Sequence, residues 1–212
     1  MSGCCEPPTL GPGASDQRQR RQRRLLWIVL VVNAVMFVVE IAASWLAGST
    51  ALLADTLDFL ADSASYGLTL FVLAKSMRWK AAAALIKGAA MGAFGIAVIA
   101  VALWRASDPA LPDGAIMGGV GALALAANVG SALLLFWHRG DDLNMRSVWL
   151  CSRNDAVANL AVLAAAAAVV LTGTAWPDLA AGALIAALEL SAAYTIIRLA
   201  HHELRAAVAT GH

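Results

Sequence analysis

Six apolar runs dominate the chain, each close to the ~20 residues that a helix needs to cross a bilayer. They cover roughly 25–47, 51–74, 81–105, 115–137, 146–172 and 178–200. Ala, Leu, Val and Gly fill them. A membrane barrel would instead show ~10-residue segments of alternating polarity, and the sequence has none. A soluble bundle needs a charged shell, but only 14% of the 212 residues are charged, against ~25% in ordinary soluble domains. The expected fold is therefore all-α: a polytopic membrane protein with six transmembrane helices.

The connections set the expected orientation. Lys and Arg gather on the cytoplasmic side of membrane proteins. Arg18, Arg20, Arg21, Arg23 and Arg24 precede the first run. The second connection carries Lys75, Arg78 and Lys80, the fourth carries Arg139 and leads to Arg146, and Arg198 and Arg205 close the chain. The first and fifth connections carry no base, and the third has Asp108 and Asp113 with Arg105 at its edge. This alternation places both termini in the cytoplasm. It also reads the arginine cluster as a topology signal, with no nucleic-acid partner. Three parts are expected: a disordered basic tail (1–24), a transport domain (25–200) and a short tail (201–212). Cys4, Cys5 and Cys151 make no disulfide framework. The first hydrophobic run is too long for a cleaved signal. Trp27, Trp79, Trp104, Trp137 and Trp176 fall near segment ends, as in an interfacial belt. Gly88 with Gly92 and Gly114 with Gly118 have the spacing of close helix packing.

Ionised groups inside a span are expensive and mark function. Segment 2 holds Asp55, Asp58 and Asp62, spaced three and four apart on one helical face. Segment 5 holds Cys151 and Asp155, four apart, with Asn159 one turn on. Two helices that each present such a pair can close four ligands around one ion. Oxygen and sulfur ligands suit tetrahedral zinc, and also cobalt or cadmium. Magnesium and calcium prefer six or more oxygens. Antiparallel helices would pair Asp58 with Asp155 and Asp62 with Cys151, although Cys151 lies nearer its segment's edge than Asp62 does. The plainer readings are that the aspartates line a wet cavity and that Cys151 fills apolar space. Asn33 and Glu40 share a face of segment 1. Glu40 and Glu189 read as a hydrated pathway or inter-helix partners rather than metal ligands. Lys87 is placed to snorkel, and Asn128 is polar within segment 4.

The run from Ser49 to Asp62 resembles the second-helix signature of the cation diffusion facilitator family. Asn33 and Glu40 resemble its first-helix pattern. The run from Leu143 to Asp155 is similar to its fifth-helix signature, in which Asn precedes a His by seven residues and an Asp follows four later. The resemblance covers roughly 25–205. It implies a transport site of Asp58, Asp62, Cys151 and Asp155, with Asp55, Asn33, Glu40 and Asn159 as accessory or proton-pathway residues. It also implies a homodimeric, multi-pass cell-membrane exporter, in a bacterial inner membrane, that exchanges divalent metal for protons. Metal is then cargo, and no resident cofactor is implied. Cys151 stands where the family mostly has His, which favours softer ions. The family's C-terminal cytoplasmic domain and its His-rich loop are expected to be missing here.

Carboxylates that bind either metal or protons make alternating access possible without ATP, and no P-loop occurs. Two other readings compete. The chain could be an intramembrane enzyme, either with Asp62 and Asp155 as an aspartyl-type hydrolytic dyad or metal-dependent through the Asp58-xxx-Asp62 pair. Alternatively, the chain could be a non-transporting membrane metal sensor or partner subunit.

Overall fold

A computed structural model describes residues 16–72, 77–137 and 145–209. Among these residues there are six helices and no strand: α1 (Asp16–Ala47), α2 (Thr50–Val72), α3 (Met77–Ser107), α4 (Gly114–Trp137), α5 (Met145–Thr172) and α6 (Trp176–Ala209). The apolar runs expected from the sequence each fall on one helix.

Two ends differ from the expectation. Helix α1 starts at Asp16, so the basic stretch up to Arg24 is helical and not a disordered tail. Gln and Arg are good helix formers, and the apolar run behind them supplies the nucleus. Helix α6 likewise continues past residue 200 to Ala209. Residues 1–15, with Cys4 and Cys5, lie outside the described residues, as does His138.

Glycine ends two helices. Gly48 has φ 65° and Gly173 has φ 63°, a left-handed conformation that costs a residue with Cβ. At Gly48 the chain makes a Schellman motif: Gly48 N donates to Trp45 O at 3.3 Å and Ser49 N to Ser44 O at 3.0 Å. The turn delivers the chain directly into α2. At the start of α4, Asp113 Oδ1 accepts from the N–H groups of Ala115 and Ile116, an N-cap.

The helices run up and down. The ends of α1 and α3 and the starts of α2, α4 and α6 share one end of the bundle. Asp113 N bonds Ala47 O, Arg105 bonds Gly48 O, and Asp178 bonds Thr50 N. Helix α3 packs along α6, α1 along α2, and α4 along α5. Helix α2 is central, touching α1, α3, α5 and α6. Its stretch 50–59 is buried on every side. The main core joins Leu52 and Leu57 of α2 to Val98, Met117, Val162, Val169 and Ile185.

The bundle buries polar and charged groups beside its apolar core and exposes large apolar side chains. Asn33, Glu40, Asp55, Asp58, Lys87, Asn128 and Asn159 are buried, while Val35, Val38, Leu103, Leu123 and Leu171 are exposed. That arrangement suits lipid as the solvent. Four helices are long and apolar enough to cross a membrane: those of α1, α3, α4 and α6. Helices α2 and α5 fall short of that mark among the described residues, and they are the two that carry Asp55, Asp58, Asp62 and Asp155.

Small residues let helices approach. Gly88 and Gly92 of α3 face Ala193 of α6, and Gly114 faces Val170 of α5, whereas Gly118 meets nothing. The tightest approach to backbone is at Gly182 of α6, where a Cβ would lie 2.7 Å from the carbonyl carbon and oxygen of Thr50. Backbone cannot yield as a flexible side chain can. Gly182→Ala is therefore expected to cost roughly 1–3 kcal/mol, read as easier unfolding by SDS from mild detergent. Gly118→Ala is the control and should be neutral or slightly stabilising.

Candidate metal centre

Helix α2 carries Asp55 and Asp58 fully inside the bundle and Asp62 partly so. Helix α5 is tied to it by a side-chain hydrogen bond. Asn159 Nδ2 donates to Asp55 Oδ2 at 2.8 Å, and Asn159 Oδ1 accepts from Asn128 Nδ2 of α4 at 3.2 Å. This chain of amides fixes the register of two antiparallel helices.

From that contact, Asp58 lies three residues along α2, and Asp155 lies four residues back along α5. At 1.5 Å per residue both move the same way, by about 4.5 and 6 Å. The carboxylate of Asp155 is in electrostatic reach of Asp62 and of Asp58. Another four residues back, position 151 of α5 comes level with Asp62. The side chain of Cys151 lies outside the described residues.

The first-helix residues divide. Glu40 is fully buried beside Asp55. Asn33 turns its amide onto its own helix and donates to Val29 O at 2.8 Å. Among the described residues, both Glu40 oxygens, Asp55 Oδ1, Asp58 Oδ2 and Asn33 Oδ1 are buried without a hydrogen-bond partner. Buried acceptors left in this state are costly. Such groups concentrate where a ligand or proton is handled.

Two residues play a larger part than their place in the sequence indicates. Glu189 of α6 lies beside Asp58. Lys87 of α3 does not snorkel. It is buried, donates to Ser65 Oγ of α2, and faces Asp62, Asp155 and Glu189. The available signal was their mid-span position alone. Tyr66 adds a long hydrogen bond of 3.5 Å from its hydroxyl to Asp62 Oδ2. Among the described residues, no three His, Cys, Asp or Glu side chains are gathered tightly enough to hold a metal ion as they stand. The Lys87 ammonium lies within electrostatic reach of three of these carboxylates.

Helices that are apolar outward and acidic inward define a multi-pass membrane protein built to handle cations. The chain belongs to the cation efflux family: the profile of the cation efflux transmembrane domain matches residues 26–204. That family consists of transporters, so the dyad of a membrane hydrolase is set aside. Over 199 residues, 86% of the chain, it is 26% identical to the zinc transporter ZitB of Yersinia pseudotuberculosis and 28% to that of Escherichia coli. Over the same length it is 28% identical to the cadmium, cobalt and zinc/H(+)-K(+) antiporter of Bacillus velezensis. The matched region makes up 62% of each ZitB and 63% of the antiporter.

Proposed function

We propose that this protein exports divalent transition-metal cations, with zinc, cobalt or cadmium as cargo, in exchange for protons. The transport site is Asp58 and Asp62 of α2 with Cys151 and Asp155 of α5. Asp55, Asn159 and Glu40 form the buried polar layer behind it, and Asn33 lies further along the same face of α1. The observation that carries the reading is the Asn159–Asp55 hydrogen bond, which sets α5 against the acidic face of α2. The relatives' names, zinc transporter and cadmium, cobalt and zinc antiporter, support the same cargo.

All six helices cross the membrane in this reading, with both termini cytoplasmic. The alternation of Lys and Arg along the connections supports it. Helices α2 and α5 are less apolar because their acidic faces turn to the other helices rather than to lipid. The protein works as a homodimer, joined through its membrane helices. The metal enters from the cytoplasm, is held by the four ligands, and is released outward when protons compete for the carboxylates.

The test is uptake of radioactive zinc, cobalt or cadmium into everted membrane vesicles under an interior-acid gradient. The expected result is accumulation that stops when the proton gradient is collapsed. Dependence on a potassium gradient instead would change the counter-ion. No accumulation of any of the three metals would overturn the reading. Cys151→His is expected to move selectivity from cadmium toward zinc, on the order of tenfold, because imidazole is a harder ligand than thiolate. Competition between the two metals in the same vesicles measures the shift.

A further inference from the structure

We infer that Lys87 is a tethered cation that competes with the transported metal for the carboxylates of α2, α5 and α6. This rests on the transport site proposed above. Lys87 sits in α3 between Ile86, which is exposed, and Gly88, which is packed against α6. Its side chain is only 8% exposed. The ammonium donates to Ser65 Oγ, three residues beyond Asp62 on α2. It also faces Asp62, Asp155 and Glu189, three carboxylates on three different helices. A lysine two turns into a span has a cheaper option, which is to extend along the helix to the interface. This one turns inward.

Charge and shape explain what the inward turn can do. Asp58, Asp62, Asp155 and Glu189 carry up to four negative charges close together in a medium that screens them poorly. An ammonium offsets one of them. It is compact, has three donors and ends a flexible four-carbon stem, so it can share several acceptors and leave them without breaking a rigid fork. A divalent ion offers twice the charge and can coordinate several oxygens at once. It therefore displaces Lys87, for which Ser65 Oγ is a resting partner at the edge of the site. When the metal leaves, Lys87 returns to the carboxylates. Lys87 is then a positioning residue that weakens metal holding and speeds release.

A lysine with a purely structural role would behave in the opposite way. Removing a brace between α2 and α3 would loosen the site and weaken metal binding. The sign of the effect separates the two. The experiment is calorimetric titration of the purified full chain in detergent with Zn2+ and with Cd2+, paired with vesicle uptake. Lys87→Met is expected to bind metal at least roughly tenfold tighter, with KM and kcat for uptake both lowered. Lys87→Arg keeps the charge and should stay within about threefold of wild type in affinity. Ser65→Ala removes the resting partner and should weaken metal binding a few-fold, so the idea stays testable if Lys87→Met fails to fold. Unchanged or weaker binding in Lys87→Met, or unchanged binding in Ser65→Ala, overturns the inference while leaving the export reading intact. Absence of metal binding in the wild type overturns both.

Discussion

Asparagine in place of Asp58 or Asp155 is expected to reduce metal uptake into everted vesicles by at least roughly 100-fold. Even residues that only support a metal ligand cost 10–100-fold when removed, and these two are proposed as ligands. The substitution keeps the shape of the side chain. It removes a negative charge and replaces a carboxylate oxygen by a weaker amide oxygen. Asp58 is buried, and its Oδ2 has no hydrogen-bond partner among the described residues. Little structure therefore depends on its charge. Each change also relieves repulsion in an acidic group that includes Glu189. Resistance to unfolding should therefore stay the same or rise while transport is lost, the usual opposition of stability and function at a strained site. Uptake at near wild-type rates in both variants would remove Asp58 and Asp155 from the transport site. A loss of transport matched by a loss of folded protein would make them structural instead.

The outline of the fold was legible because lipid imposes a single demand on length and polarity. Each helix was found from its apolar run, and α2 and α5 stood out through Asp55, Asp58, Asp62, Asp155 and Asn159. The helical ends were less legible. Residues 16–24 are polar and 201–209 are of mixed polarity, and nothing in a hydropathy pattern tells a helix extending into water from an unstructured tail. Part of the site was also hidden. Spacing of three and four shows which residues share a face of one helix, but not which helices meet. Lys87 and Glu189 lie on α3 and α6, and only the packing of those two helices against α2 turns them toward Asp58 and Asp62. Asn159 was read as a residue one turn past Asp155. Its bond to Asp55 became visible only with the register of α2 on α5.

Asp178 was hidden for the same reason, and its removal is expected to be the most damaging single change to stability. The sequence presents it as a loop residue at the start of α6. In the fold it is almost fully buried and caps a different helix. Its Oδ2 accepts from Thr50 N at 2.7 Å, and its Oδ1 accepts from Ala51 N at 3.0 Å and from Ser49 Oγ at 2.6 Å. A carboxylate at a helix N-terminus is favoured by both the free N–H groups and the helix dipole. Ser49 extends the arrangement, since its Oγ accepts from Leu52 N at 3.0 Å. Arg105 closes the cluster from α3, donating to Gly48 O at 2.9 Å and to Thr50 Oγ1 at 3.2 Å while lying 6.0 Å from the centre of the Trp45 ring. Asp178→Ala would leave two buried N–H groups and a hydroxyl without their acceptor, and Arg105 without its nearby anion. A cost of about 3–5 kcal/mol follows from such a loss. Asp178→Asn keeps one acceptor oxygen and should fall roughly halfway. Arg105→Ala should cost about 1 kcal/mol, because Arg105 is only partly buried and its partners can be solvated. Unfolding of the three purified variants in mixed detergent, ranked against wild type, checks the order. If Asp178→Ala matched wild type, the anchoring of α2 to α6 would come from close packing, at Gly182 and around Ile185, rather than from the cap.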